Sequence, residues 1–396
     1  MNAPESHVAP AIRTLIRLVR KQREAFAREL YPTLEVRRDR LDRLHKLVVE
    51  NEEAVVAAIC ADFGARSAHE TLLGEIVVTA NGVRDALRDV ARWMKPRRVP
   101  TPLTMLPGWG EVIPQPLGVV GIISPWNYPF QLALVPVTGA LAAGNRVLLK
   151  PSEHTPRTSE LMARLVATHF AEDEFAVIEG DAEVGRAFAS TRFDHLFFTG
   201  STPVGRLVAR AAAENLVPVT LELGGKSPAL FDDSADWDLV VPRLVAGKLF
   251  NAGQTCIAPD YVLVPAGQAR EFIAAARKVV DACYPDILRT PDYSSIISER
   301  HFRRLTGLVE EARAQGAEAV PLSAAAEADA ATRRIPPLAL LNATPEMQVM
   351  QEEIFGPVLP VVGYHDLDEA IRYVNARPNP LALYYFDHDR GRIDQV

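Results

Sequence analysis

Two residues, Cys256 and Glu222, have side chains that could act in catalysis and sequence neighbours that favour such a role. Cys256 closes residues 251–256 (NAGQTC), and its small, polar neighbours favour an accessible thiol over a buried structural one. Glu222 ends an apolar run (VPVTLEL), where a buried carboxylate needs a partner or a task. A buried carboxylate holds its proton more tightly and can act as a base near neutral pH. We therefore consider a thiol nucleophile with a carboxylate base, although spacing alone does not give their separation.

Further polar candidates follow short apolar runs that alternate with helical stretches. This alternation predicts a parallel sheet covered by helices on both faces, and ligands bind beyond the carboxyl ends of such strands. The predicted strands are residues 119–123, 146–150, 175–178, 194–198 and 217–223. The segments SPWNYP, KPSE, TGS and ELGGK follow four of them, and we expect these segments to converge on one crevice.

Each of these segments also has a purely structural explanation. Asn127 is a common turn former, Lys150 and Glu153 can form a surface ion pair, and Gly200 can serve a tight turn. The GxGxxG fingerprint of dinucleotide sites is absent. The glycine turn nevertheless leads into a predicted helix, whose free N–H groups favour a phosphate.

Composition and charge exclude several classes of protein. The 396 residues carry 43 basic and 50 acidic side chains, a formal charge of −7, and 48% are hydrophobic, which is typical of a globular chain with at least two domains. The basic stretch at residues 37–43 (RRDRLDR) is interrupted by acids, which predicts a solvated helix face and no nucleic-acid partner. The most apolar stretch, residues 132–143, is too short for a membrane span, so we expect no membrane association.

Cysteine usage and the N-terminus indicate a reducing compartment. The three cysteines form no CxxC pair, which argues against a disulfide framework and against a metal site. We expect Cys60 and Cys283 to be structural thiols packed within helices. The N-terminus lacks the long apolar core of a signal peptide, so we expect a cytoplasmic protein.

The elements around these segments suggest the domain organisation. Residues 8–95 show helical periodicity, whereas residues 97–117 hold five prolines and predict an extended connector or hairpin. The second half repeats the alternation of strands and helices, and we place the domain boundary near Gly224 and Gly225. Its predicted strands are residues 229–231, 261–265 and 381–386, and its predicted helices are residues 237–250 and 269–282.

Taken together, the motifs resemble the aldehyde dehydrogenase superfamily. They occur in the family's order, and the resemblance extends from about residue 15 to the last residue: SPWNYPF, KPSE, FTGS, ELGGKSP, GQTC and EIFGP. ELGGKSP followed by GQTC is highly specific, whereas the shorter motifs are weak singly. Finer features (CIAPDY, PDY and RHF) look like the class 3 branch, and the N-terminal half looks most like bacterial coniferyl aldehyde dehydrogenases.

The resemblance implies an α/β fold of two doubly wound parallel-sheet domains plus an oligomerisation hairpin. Residues 1–100 and 118–223 would form the cofactor-binding domain, residues 101–117 the hairpin, and residues 224–396 a truncated catalytic domain. We expect the truncation because the family's PFGG-type closing segment is missing. A homodimer is expected if the native chain is longer.

The resemblance also implies a role for individual residues. Cys256 matches the nucleophile, Glu222 the general base, and Asn127 the amide that holds an oxyanion. The matching cofactor-binding residues are Trp126, Lys150, Ser152, Glu153, Gly200, Ser201, Leu223, Glu353 and Phe355. No metal is implied.

The implied activity is NAD(P)-dependent oxidation of an aldehyde to its carboxylic acid through a cysteine thiohemiacetal and thioester. An aromatic substrate similar to coniferyl aldehyde follows from the branch. Glu153 favours NAD because a carboxylate repels the 2′-phosphate of NADP, although NADP use stays open. Two alternatives are a truncated, non-catalytic cofactor-binding remnant or interaction protein, and an esterase that uses Cys256 and Glu222 without cofactor. Aldehyde-dependent NADH formation discriminates among them.

Overall fold

The computed structural model describes residues 10–325 and 327–396. The predicted cofactor-binding domain and N-terminal helical stretch therefore begin within nine residues that lie outside the described part. The chain forms two compact units. One comprises the described residues up to Ile59 together with Thr71–Glu222, and the other comprises Cys60–Glu70 together with Leu223–Val396.

The first unit is built on a five-stranded parallel sheet with the strand order β5-β4-β3-β6-β7. Its strands are β3 Val119–Ile123, β4 Arg146–Lys150, β5 Phe175–Val177, β6 His195–Thr199 and β7 Val219–Glu222. The crossover helices are α6 Gln131–Ala142, α7 Pro156–His169, α8 Ala182–Ala189 and α9 Thr202–Ala213. β3 and β4 are buried along nearly their whole length, which explains why β3 and the central three residues of β4 are apolar in the sequence.

Helices precede this sheet in the chain, as the periodicity predicts. They are α1 Pro10–Arg28, α2 Leu34–Val49, α3 Glu52–Phe63, α4 Ala68–Thr71 and α5 Val78–Trp93, with a π-helical turn at Leu72–Val77 between the last two. Within the first unit, α1 buries Leu15, Leu18 and Val19 on one face. The connector forms the antiparallel strands β1 Arg97–Val99 and β2 Gly110–Val112, with exposed apolar side chains between them.

The prediction that residues 37–43 form a solvated face is wrong in part. Arg37 and Arg40 are buried on α2. Arg37 donates to the last carbonyl of α6, and Arg40 pairs with Glu29 at 2.9 Å and Glu174 at 3.2 Å. The partners come from distant segments, so the local charge pattern does not reveal them.

The second unit contains a six-stranded sheet with the order β10-β11-β12-β9-β8-β13. Its strands are β8 Pro228–Phe231, β9 Tyr261–Pro265, β10 Glu318–Pro321, β11 Leu338–Leu341, β12 Val358–Tyr364 and β13 Tyr384–Phe386. Its helices are α10 Trp237–Leu249, α11 Ala269–Cys283, α12 Glu299–Ala314, α13 Gln348–Gln351, α14 Leu367–Asn375 and α15 Arg390–Gln395. All pairings are parallel except that of β10 with β11, so the doubly wound α/β class is confirmed with one antiparallel edge.

The second unit's core is centred on aromatic side chains. The Phe231 ring centroid lies 6.2 Å from that of Trp237, 5.4 Å from that of Phe272 and 5.2 Å from that of Phe386. Burial of such rings stabilises the packing of this sheet against its helices.

The expectation of buried structural thiols at Cys60 and Cys283 is wrong for Cys283. Cys60 is half-buried, whereas Cys283 is exposed. Cys283 is the last residue of α11, whose buried face ends at Val280. In the sequence, the helical pattern of α11 extends to Cys283, but the helix buries no residue after Val280. The pattern alone therefore overestimates how far the packed face extends.

Candidate functional site

The carboxyl ends of neighbouring strands in the first unit are in register at the same edge of the sheet. Ile123 of β3 is paired with Lys150 of β4 and with Phe198 of β6, and Thr199 is paired with Glu222 of β7. The segments that follow these strands therefore start from one edge of the sheet. This is the arrangement that the alternating pattern predicts.

The loop after β3 carries Asn127, which is buried, and Trp126, which is half-buried. The loop leads directly into α6. Glu75, a fully buried residue of the π-helical turn, accepts the N–H groups of Phe130 (2.9 Å) and Gln131 (2.8 Å) through one carboxylate oxygen. Glu75 thus fixes the start of α6, four residues after Asn127. Sequence reasoning missed Glu75, and the only signal was an acid in the otherwise apolar stretch LLGEIV.

We expect Glu75→Ala to destabilise the protein, because it leaves the N–H groups of Phe130 and Gln131 at the start of α6 without their acceptor. The expected loss is about 2–4 kcal/mol, or a fall in the thermal midpoint of roughly 5–10 °C. Circular dichroism on heating measures it. Glu75→Gln keeps an acceptor oxygen and should lose less than half as much. Equal midpoints for wild type and Glu75→Ala contradict the assignment.

Lys150 and Glu153 form an ion pair at the end of β4. Lys150 is only 3% exposed and donates to the Pro151 carbonyl and to Glu153, both at 3.0 Å. Partial burial works against ionisation of Glu153, but its own backbone N–H and Lys150 lower its pKa overall. The carboxylate is therefore charged at neutral pH. Ser152 is buried between them in the chain, and its hydroxyl accepts the N–H of His154 at 3.2 Å.

Gly200 and Ser201 form the turn between β6 and α9. The N–H of Gly200 donates to the Glu222 carbonyl at 3.0 Å, and a side chain at position 200 would collide with the Phe198 ring. Ser201 is the N-cap of α9, yet within the described chain its hydroxyl makes no capping bond. The first N–H groups of α9 are therefore available to an anion.

The predicted burial of Glu222 is wrong. Its side chain is exposed, and β7 is only partly buried because it is the edge strand of its sheet. The apolar run VPVTLEL marks a strand but does not distinguish a central strand from an edge strand. Burial therefore gives no support to a base role for Glu222.

Cys256 lies in the second unit, in the loop after α10, and is half-buried. A side chain at Gly253 would collide with the Gly356 carbonyl, so the loop of Cys256 packs closely against the loop of Glu353 and Phe355. Tyr384 approaches from β13, where its hydroxyl donates to the Ile257 carbonyl at 2.7 Å. Burial raises the pKa of Tyr384, and the neighbouring Cys256 raises it further.

Glu353 lies against the segment that follows Leu223. Its carboxylate occupies the space that a side chain at Gly224 would need, and it accepts the N–H of Gly225. Burial raises the pKa of Glu353 to about 7, and Asp260 contributes in the same direction. Oxygen Oε1 of Glu353 is buried and has no hydrogen-bond partner among the described residues. An unsatisfied buried acceptor of this kind suits a hydroxyl donor from a ligand.

A buried ion pair supports the same loop. Lys226 pairs with Asp260 and also donates to the carbonyls of Val349 (2.8 Å) and Glu352 (3.0 Å). The second oxygen of Asp260 accepts the N–H of Ile354 at 2.8 Å. Both residues lie within quoted motifs, ELGGKSP and CIAPDY, but local sequence predicts no role for either. The structure shows that they hold the segment that precedes Phe355.

Each unit by itself offers groups that fit part of a nicotinamide dinucleotide. In the first unit, the N–H groups at the start of α9 suit a phosphate and the charged carboxylate of Glu153 suits a ribose. In the second unit, the unsatisfied oxygen of Glu353 suits a hydroxyl donor. Within residues 10–325 and 327–396, we find no group of acids, histidines and cysteines arranged to hold a metal ion. No helix in these ranges has the length and apolarity to cross a bilayer.

Comparisons with known proteins identify the family of this chain. The sequence model of the aldehyde dehydrogenase family matches residues 13–396. The chain is 49% identical over 385 residues to a "Probable coniferyl aldehyde dehydrogenase" of Pseudomonas aeruginosa, covering 97% of this chain and 80% of that protein. It is 40% identical to "Aldehyde dehydrogenase family 3 member A2" of Pongo abelii, covering 96% and 76%. A substrate-bound structure of Staphylococcus aureus AldH superimposes with a TM-score of 0.91 at 37% identity, covering 96% and 82%.

Proposed function

Because this chain belongs to the aldehyde dehydrogenase family and is an NAD(P)-dependent enzyme, we propose that it oxidises an aromatic aldehyde similar to coniferyl aldehyde to the carboxylic acid. The name of the 49% identical relative supports the substrate class. The observation that carries the chemistry is the half-buried thiol of Cys256, in a loop packed against that of Glu353 and Phe355.

In the proposed mechanism, the Cys256 thiolate attacks the aldehyde carbon and makes it tetrahedral. The buried amide of Asn127 and the backbone N–H of Cys256 stabilise the oxyanion, a contribution of about 10²–10³ in rate for each such donor. The thioester that remains after oxidation is hydrolysed by water. Glu222 takes a proton from that water, and its exposure gives it the access to solvent that this role requires.

We propose cofactor-binding residues in each of the two predicted domains. Residues 1–100 and 118–223 form the proposed cofactor-binding domain and residues 224–396 the proposed catalytic domain, with a hairpin at residues 101–117. Lys150, Ser152 and Glu153 bind the adenosine ribose, and Trp126 and Leu223 border the cofactor. Gly200 and Ser201 bind the pyrophosphate, and Glu353 and Phe355 bind the nicotinamide ribose and ring. When bound, the oxidised nicotinamide supplies the hydride acceptor.

The hairpin is the proposed contact of a homodimer. Leu103, Met105 and Trp109 are all more than half exposed, which is costly for apolar side chains unless a partner covers them. Light scattering on the purified chain measures the association.

We expect NAD to be preferred over NADP, because the charged Glu153 repels a 2′-phosphate. Glu153→Gln removes the charge and should raise kcat/KM for NADP relative to NAD about tenfold, a shift of about 1.4 kcal/mol. Steady-state assays with both cofactors measure the ratio. Glu183→Gln, at an exposed glutamate of the same unit, serves as the matched control. An unchanged ratio in Glu153→Gln contradicts the proposed role.

A panel of aromatic and aliphatic aldehydes tests the substrate class. We expect aldehyde-dependent NADH absorbance with the highest kcat/KM for hydroxylated aromatic aldehydes. A preference for short aliphatic aldehydes overturns the substrate assignment. Cofactor binding without turnover indicates a non-catalytic remnant, and ester hydrolysis alone indicates an esterase.

A further inference from the structure

A second buried carboxylate, Glu70, contacts the loop that carries Cys256. Glu70 belongs to α4, in the part of the chain that joins the second unit, and is 7% exposed. Its Oε2 accepts the backbone N–H of Asn251 at 3.0 Å and the hydroxyl of Ser294 at 3.1 Å. The mechanism proposed above does not use this residue.

The contacted residue begins a strained turn. Asn251, Ala252 and Gly253 have φ values of 53°, 51° and 77°, all in the left-handed region. Left-handed backbone is unfavourable for an L-residue, and two of the three positions are not glycine. Such a turn persists only where surrounding contacts determine it.

Hydrogen bonds within the second unit provide those contacts. The Asn251 side chain donates to the Gln254 carbonyl, and the Gln254 side chain donates to the carbonyls of Asn251 and Ser295. The N–H of Ile297 donates to the Gln254 side-chain oxygen at 3.0 Å. Glu70 completes the set at the first residue of the turn. These bonds fix the backbone that reaches Cys256 two residues after Gln254.

We propose that Glu70 is a positioning residue for the nucleophile: by holding the N–H of Asn251, its buried carboxylate fixes the left-handed turn that orients the thiol and backbone N–H of Cys256. The expected effect on the reaction rate rests on the proposed function. The effect on the loop itself follows from the contacts alone.

Groups around Glu70 make this contact sensitive to pH. Burial raises the pKa of Glu70 to about 7, whereas Arg66, the Asn251 N–H and Ser294 oppose the rise and Asp292 adds to it. Tyr284 and Tyr293 also face it, and burial raises the pKa of each above the ordinary value of 10, so both stay neutral. An ionised carboxylate is the stronger acceptor, so the hydrogen bond from the Asn251 N–H to Glu70 strengthens as pH rises through about 7.

The experiment compares Glu70→Ala and Glu70→Gln with wild type in the full chain. We expect Glu70→Ala to lower the rate constant of the NADH burst at least tenfold, with KM for NAD changed less than twofold, because small misplacement of a reacting group is costly. Glu70→Gln keeps an acceptor oxygen and should retain at least a third of the burst rate. Its burst rate should lack the rise near pH 7 that wild type shows.

Hydrogen exchange followed by mass spectrometry gives a readout that needs no turnover. Exchange of peptides that cover residues 250–256 should become at least tenfold faster in Glu70→Ala, and it should stay near the wild-type rate in Glu70→Gln. Glu310→Gln, at an exposed glutamate of α12, is the matched control and should change neither readout. The exchange result stands even if wild type forms no NADH, so failure of the proposed function is distinguishable.

Two results overturn the proposal. One is unchanged exchange of residues 250–256 in Glu70→Ala. The other is a pH profile of the burst that is the same in Glu70→Gln as in wild type. If Glu70→Ala does not fold, the pH profile of the NADH burst in Glu70→Gln still tests the proposal.

Discussion

Cys256→Ala is expected to abolish aldehyde-dependent NADH formation, with a loss of roughly 10⁴-fold or more. The thiol forms the covalent bond that turns a trigonal aldehyde carbon into a tetrahedral one, and the described chain places no other cysteine in a loop of this kind. Cys60 lies in α3 and Cys283 ends α11. Stopped-flow absorbance at saturating aldehyde and NAD measures the effect.

Cys60→Ala and Cys283→Ala are the matched controls and should retain most of the wild-type rate. The cofactor affinity of Cys256→Ala, measured by fluorescence quenching, should stay within a few-fold of wild type, because the alanine leaves the cofactor residues in place. Normal NADH production by Cys256→Ala would falsify the assignment of the nucleophile.

Glu222→Gln is expected to separate the two halves of the reaction. Attack and oxidation use the thiol, so a burst of about one NADH per active site should persist. Turnover after the burst should fall about 10²–10⁴-fold, the usual contribution of a general base, because the amide cannot take a proton from water. Rapid-mixing absorbance records both phases in one trace.

The control for this variant is Glu214→Gln, at an exposed glutamate that follows α9 in the same unit. It should leave both phases unchanged. If the burst of Glu222→Gln falls as far as its turnover, Glu222 acts before acyl release and the proposed role is incorrect. Added hydroxylamine, which attacks thioesters without a base, should restore part of the lost turnover.

Sequence patterns predicted the first unit's elements closely for a physical reason. β3 and β4 are buried on both faces, so β3 and the central three residues of β4 are apolar, and the predicted bounds of both strands match the structure. β7 is different because it lies at the sheet edge, where a partly apolar run looks the same but leaves Glu222 exposed. β13 begins at Tyr384 rather than at residue 381, after a stretch that holds two prolines.

By itself, the sequence determined the family, the α/β class and the order of the chemically active segments, since these depend on residue types and on local periodicity. Only the tertiary structure showed how those segments are supported. Glu75 reaches the start of α6 from 55 residues away in the chain, and Glu70 reaches Asn251 from 181 residues away. The packing of distant elements determines which groups a buried carboxylate contacts, so local sequence patterns cannot predict its partners.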